Sequence, residues 1–98
     1  MIHLIEAVWI RSAAAWTAAQ RNAAREACGE YLHWLHPGKK PSEPEIDAFL
    51  AKAMESPVSA CWWFSGENEA DLHPEKLLDV MRRHCEPVGL SVSGHLSC

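Results

Sequence analysis

The sequence predicts an α+β fold that is predominantly helical, with a long N-terminal helix, a second capped helix and then a strand–helix–strand unit. Three observations support this fold class. Apolar residues recur every three or four positions through much of the first half, a capping-box motif precedes a second such stretch, and two short segments of the second half alternate apolar and polar residues. The alternative is an all-α bundle in which the two alternating segments are merely extended.

The whole chain, residues 1–98, is expected to form a single domain, because a chain of this length holds only one hydrophobic core. Apolar residues make up 48% and charged residues 22%, which is typical of globular rather than disordered proteins. The N-terminus lacks the positive charge of a signal peptide, and no apolar run is long enough to cross a membrane. We therefore expect a cytoplasmic protein whose four cysteines remain thiols.

The long helix is predicted to run from Ser12, its expected N-cap, to His36, before Pro37 and Gly38 end it. Alternatively, its start lies further back, toward Glu6, which would place Trp9 in its first turns. Such a helix would measure roughly 37 Å, about as much as the whole domain is wide. We therefore expect part of its stripe of small and aromatic residues to pack on a second copy in a homodimer. The predicted dimer residues are Ala13, Trp16, Ala23, Ala27 and Tyr31.

A capping box predicts where the second helix begins. Ser42 and Glu45 have the S-x-x-E spacing in which each side chain can satisfy a backbone N–H of the other residue. Apolar residues then recur at helical spacing as far as Met54, and Pro57 ends the helix.

The second half predicts a strand, a helix and a second strand. Residues 58–64 alternate, an acidic loop covers residues 67–71, and a helix begins near His73 with Pro74 in its first turn. Pro87 ends that helix, and the alternation over residues 88–93 predicts the last strand before a short, mobile tail at 94–98. Because two strands are marginal alone, we expect a third from residues 2–5 or from a partner subunit.

Two pairs of residues have a spacing that suits zinc ligands. His33 and His36 form one pair, and His95 and Cys98 form the other. The pattern has low specificity, because no C-x-x-C motif accompanies it and six histidines produce such pairs by chance. We therefore predict no metal and no other cofactor. A zinc- or thiol-dependent regulatory protein remains an alternative.

Catalytic and nucleic-acid-binding signals are weak in this sequence. The neighbours His84 and Cys85 project about 100° apart on a helix, so they cannot form a nucleophile–base pair with each other. The net charge of −4 and the lack of a basic face argue against nucleic-acid binding. A small enzyme and a nucleic-acid-binding regulator are therefore both disfavoured.

Five tryptophans in so short a chain carry the functional prediction. Trp62 and Trp63 are neighbours on a predicted strand and project to opposite faces, so we expect Trp63 to be at least partly exposed. Large aromatic rings anchor protein interfaces. The sequence thus predicts a module that binds a protein and masks or modulates it, as an inhibitor, an antiactivator of a regulator or an adaptor would. The predicted partner-binding residues are Trp9, Trp16, Trp62, Trp63 and Phe64.

Overall fold

The fold is a mixed α+β fold rather than a predominantly helical one. A computed structural model describes residues 4–64 and 73–97, in which a four-stranded antiparallel sheet packs against three α-helices. The α+β class is confirmed, whereas the all-α alternative and the two-strand prediction are wrong. The elements are β1 (Leu4–Arg11), α1 (Ala18–Leu35), α2 (Glu43–Ala53), β2 (Met54–Ser56), β3 (Ser59–Trp63), α3 (Pro74–Cys85) and β4 (Ser91–Ser97), with a 3-10 turn at Glu86–Val88.

The sheet has the strand order β2-β3-β1-β4, and each neighbouring pair is antiparallel. Strand β1 therefore lies in the interior of the sheet, between β3 and β4. Apart from α2, the chain runs β-α-β-β-α-β, which is the split βαβ pattern. The register places Trp63 and His95 on either side of Ala7, so these three side chains share one face.

The N-terminal region departs most from the sequence prediction. Trp9 lies in β1 rather than at the start of a long helix, and α1 begins only at Ala18. Its N-cap is Thr17, not Ser12: the Thr17 hydroxyl accepts the Gln20 N–H at 3.1 Å, and the Gln20 side chain accepts the Thr17 N–H at 2.9 Å. A third strand does come from the N-terminal segment, but it extends to residue 11.

Helix α1 is shorter than predicted, so its length no longer requires that part of it pack on a second copy. Eighteen residues span about 27 Å, which suits a domain with a radius of gyration of 13.0 Å. Of the predicted dimer residues, Ala23, Ala27 and Tyr31 lie on the buried side of α1, and Trp16 is buried in the connector before it. Ala13 is exposed in that connector. Four of the five residues thus belong to the core of one chain and present no surface to another.

Helix α2 begins where the capping motif predicts. Ser42 accepts the Glu45 N–H at 3.3 Å, while its hydroxyl donates to the Glu45 carboxylate at 3.1 Å, so the reciprocal bond goes to a side chain rather than to the backbone. The helix ends at Ala53, earlier than predicted. Met54 takes an extended conformation there because it pairs with Ala60 in the hairpin of β2 and β3.

Helix α3 begins at Pro74, close to the predicted start, and ends at Cys85. The last strand begins three residues later than predicted, after Gly89 has adopted a left-handed conformation with a φ of 89°. Residues 94–97 are not a mobile tail, because they pair with β1, for example Gly94 with Val8. The acidic loop at 67–71 and Cys98 lie outside the described residues.

The core lies between the three helices and one face of the sheet, which we call the inner face. The inner-face residues of this core are Val8, Ile10, Ala60, Trp62 and Val92. Helices α1 and α3 pack on each other, α3 also packs on β1, and α2 packs on β3. The helical layer therefore covers the inner face.

Candidate functional site

The opposite face of the sheet, which we call the outer face, carries Trp63, the more exposed of the two tryptophans that are exposed in the described residues. Its residues on the three longer strands are Ala7, Trp9, Arg11, Ser59, Cys61, Trp63, Ser91, Ser93 and His95. None of them belongs to the core cluster under the helices. Trp63 is 63% exposed, and it pairs with Ala7 of β1.

Trp9 lies at the centre of an aromatic cluster on the outer face. Its ring meets the Trp63 ring edge to face, with 6.0 Å between centroids, and its centroid is 6.2 Å from that of His95. The guanidinium of Arg11 lies 4.9 Å from the Trp9 ring centroid, within cation–π range. These contacts leave Trp9 half-buried and fix the position of its ring. The cluster is thus a platform of large side chains that packing already holds in place.

The structure brings two of the predicted partner-binding residues together and separates the other three from them. Trp9 and Trp63 share the outer face. Trp16, Trp62 and Phe64 are each at most 7% exposed and belong to the core under the helices. These three are corrected to structural residues, because their rings fill the space between the inner face and the helices.

Arg11 and His95 belong to the same cluster and were not predicted as partner-binding residues. Arg11 stands two residues after Trp9, so a strand assignment for residues 4–11 would have placed the two side chains on one face. His95 was assigned to a tail, and nothing local in the sequence shows that it stands beside Ala7.

The described cysteines are suited to structural roles. On the outer face, burial raises the pKa of the Cys61 thiol to about 11, with a further contribution from the Glu55 carboxylate, and Trp9 hydrogen-bonds this thiol. In the core, burial raises the pKa of Cys85 to about 12 and also raises that of Cys28. Because the thiolate is the nucleophile and the metal ligand, these thiols are poorly placed for redox or metal chemistry.

The candidate zinc residues do not come together in the described part of the chain. His33 and His36 lie at the C-terminal end of α1, in the helical layer, whereas His95 is on the outer face of the sheet. Cys98 lies outside the described residues. Within residues 4–64 and 73–97, no three His, Cys, Asp or Glu side chains are grouped as a metal site requires.

A second candidate region is a groove of about 560 Å³ between α1 and α2, at Gly29. Arg25, one of its charged side chains, forms ion pairs across the two helices, with Glu43 and, at 2.7 Å, with Asp47. On its other side, Glu30 is engaged by α3. These ion pairs hold the helices together, which makes the groove a weaker candidate than the aromatic cluster.

Comparisons of the chain with protein-family models, with curated proteins and with solved structures find no match. In the described residues, no helix combines the length and the apolar character that crossing a membrane requires.

Proposed function

We propose that this chain is a protein-binding module and that a partner protein docks on the outer face of its sheet. The observation that carries this proposal is the 63% exposure of Trp63 beside the half-buried ring of Trp9. Exposing a ring of this size to water is unfavourable, whereas burying it in an interface contributes strongly to affinity.

The composition of the outer face supports a protein partner. Its centre is aromatic, and its margin is polar, with exposed Arg11, Ser91 and His95. An apolar centre with a polar margin is the usual anatomy of a protein interface, and tryptophan and arginine are the residues most often found at its hot spots. The matching surface of the partner would carry apolar side chains opposite the two indole rings and a carboxylate within reach of Arg11.

The role that follows from this binding is to mask or modulate the partner, as an inhibitor, an antiactivator or an adaptor. The raised pKa of the Cys28, Cys61 and Cys85 thiols favours such a role over thiol catalysis. We place the protein in the cytoplasm, where these thiols stay reduced.

The test is an affinity capture from the lysate of the native host under reducing conditions, with bound proteins quantified by mass spectrometry. Three baits are compared: the unaltered protein, Trp63→Ala and Trp34→Ala. Trp34 is a matched control because it is 45% exposed but lies on α1, in the helical layer, beside His73 and Lys76. The proposal expects a stoichiometric protein that Trp63→Ala fails to recover and Trp34→Ala retains.

A single-stranded nucleic acid is a second candidate partner, favoured by one specific observation. Trp9 and Trp63 stand on the two interior strands of a four-stranded sheet, an arrangement in which RNA-recognition domains stack bases on aromatic rings. The net charge of −4 weighs against it, since single-strand binding also needs basic side chains along the backbone. Titration of labelled single-stranded RNA and DNA at low salt separates the two candidates, and binding that Trp63→Ala abolishes would favour the nucleic acid.

A further inference from the structure

The two edges of the sheet differ in how they are protected against pairing with another strand. Edge strand β2 has only three residues, carries Glu55 at its centre and pairs with β3 through an irregular register. Short length, charge and irregularity are the features by which proteins keep a sheet edge from pairing with other chains. This edge is therefore protected in three ways.

Edge strand β4 lacks two of these protections, the short length and the charge, although its pairing with β1 also has a register shift between Ile5 and Ala7. Its seven residues, Ser91–Ser97, contain no proline and no Asp, Glu, Lys or Arg. Within the described residues β4 pairs with β1 alone, and α3 packs beneath it without adding a strand. Alternate backbone N–H and C=O groups along its free side therefore have no strand partner in the described part of the chain.

We propose that β4 pairs antiparallel with β4 of a second copy, so that two four-stranded sheets become one sheet of eight strands. An antiparallel strand that pairs with itself forms a self-complementary interface with two-fold symmetry. Because β4 contains no Asp, Glu, Lys or Arg, self-pairing places no side chains of these types opposite each other as like charges. Small residues such as Ser91, Ser93 and Gly94 also let the two backbones approach without a clash.

This self-pairing goes beyond the proposed binding function and uses a different surface. The two-fold axis stands perpendicular to the continuous sheet, so both outer faces point the same way. Each dimer would then present two Trp9–Trp63 clusters on one side, and a partner with two matching sites would gain avidity without any new contact.

Sedimentation equilibrium under reducing conditions tests the proposal with three proteins. The first is the unaltered chain, and the second is the double variant Ser91→Lys, Ser93→Lys, which gives β4 the lysines that natural edge strands use. The third, Ala48→Lys with Ala51→Lys, adds the same charge at exposed positions of α2. We expect a dimer for the first and third proteins, and a dissociation constant at least about tenfold higher for the second.

Hydrogen exchange on the unaltered chain gives a second measurement that does not depend on any variant folding. Amides of β4 should exchange more slowly at high protein concentration than at low concentration, because dimer formation would hydrogen-bond the free edge. A chain that stays monomeric up to millimolar concentration contradicts the proposal. So does a dimer whose β4 amides show no dependence on concentration. Protection of β4 only when another protein is added would assign this edge to a foreign strand instead.

A failure of the β4 pairing can be distinguished from a failure of the proposed partner binding on the outer face. Trp63→Ala should leave self-association unchanged, since its side chain projects from the outer face and not from the β4 edge. A dimer that Trp63→Ala dissociates would place the second copy on the outer face and overturn the edge pairing.

Discussion

The rings of Trp9 and Trp63 meet edge to face across the two interior strands, with centroids 6.0 Å apart and planes at 90°. They are diagonal neighbours, because Trp63 pairs with Ala7 and Trp9 pairs with Cys61. Trp62, adjacent to Trp63 in the chain, projects to the inner face and is only 7% exposed. Strand alternation thus gives two neighbouring tryptophans different environments, and we expect different roles for them.

Trp62→Ala should destabilise the fold by about 3–5 kcal/mol, the usual loss for a large buried aromatic ring. This ring stacks on Phe49 at 5.5 Å between centroids, and its N–H donates to the Phe49 carbonyl at 3.3 Å. Trp63→Ala should cost no more than about 1.5 kcal/mol, mostly from the lost ring pair. Urea unfolding followed by circular dichroism compares the two variants, and equal losses would show that Trp63 is a core residue.

Tyr31→Phe should leave the protein as stable as before or stabilise it by up to about 1–3 kcal/mol. The Tyr31 hydroxyl is buried and has no hydrogen-bond partner among residues 4–64 and 73–97, and burial raises the pKa of this side chain to about 12. The Phe variant keeps the ring that packs on Phe49 and removes only the unsatisfied oxygen. A clear loss of stability in urea unfolding would mean that the hydroxyl does form a hydrogen bond in solution.

The ion pairs of Glu30 should make stability fall in acid. Hydrogen bonds from Arg83 and then from His84 lower the Glu30 pKa from 4.5 to about 2. Because the folded-state pKa is the lower one, the contribution is complete above the ordinary pKa and is lost as the pH falls toward the folded value. Its size is about 1 kcal/mol or less, since the Glu30 side chain is 36% exposed and water screens the pair.

Glu30→Gln measures this contribution directly. The difference in unfolding free energy between the unaltered protein and the variant should be constant near neutral pH and should shrink between pH 4.5 and about 2. Urea unfolding at a series of pH values gives this curve. A difference that stayed constant through that range would show that the carboxylate is not stabilised in the folded state.

The start of α1 can be tested by comparing two caps. Thr17→Ala should cost about 1 kcal/mol, because the Thr17 hydroxyl accepts the Gln20 N–H. Ser12→Ala should cost less than about 0.5 kcal/mol, because Ser12 lies in the connector and its hydroxyl donates to the Ala14 carbonyl instead of capping a helix. A larger loss of stability for Ser12→Ala than for Thr17→Ala would instead support the longer helix that the apolar spacing predicts.

Local signals in the sequence were sufficient for the parts of the fold that depend on neighbouring residues. The Ser42 cap fixes the start of α2, Pro74 fixes the start of α3, and alternation separates Trp62 from Trp63. Each of these features depends on a few residues that are close in the chain, so no knowledge of the tertiary structure is needed.

Strand β1 could not be predicted in this way, because it lies in the interior of the sheet. Apolar residues occupy both of its faces, as Ala7, Val8 and Ile10 show, so the alternation that marks a half-buried strand is missing. Trp9 and Trp16 also happen to stand seven residues apart, which fits a helical stripe. The T-x-x-Q spacing of Thr17 and Gln20 was the local signal that marked the true start of α1.

The candidate site was predictable only in part, for the same reason. Exposure of Trp63 follows from the sequence, since three helices cannot cover both faces of the sheet. Its contact with Trp9 depends on the pairing of β1 with β3, and the position of His95 depends on the pairing of β1 with β4. Such pairings join residues that are far apart in the chain.

The most direct test of the central claim is the affinity of the captured partner for three purified proteins: the unaltered chain, Trp63→Ala and Trp34→Ala. If the outer face is the docking surface, Trp63→Ala weakens binding by more than about 1 kcal/mol while its fold stays intact, and Trp34→Ala binds as the unaltered protein does. A partner that binds Trp63→Ala as tightly as the unaltered chain would show that it docks elsewhere.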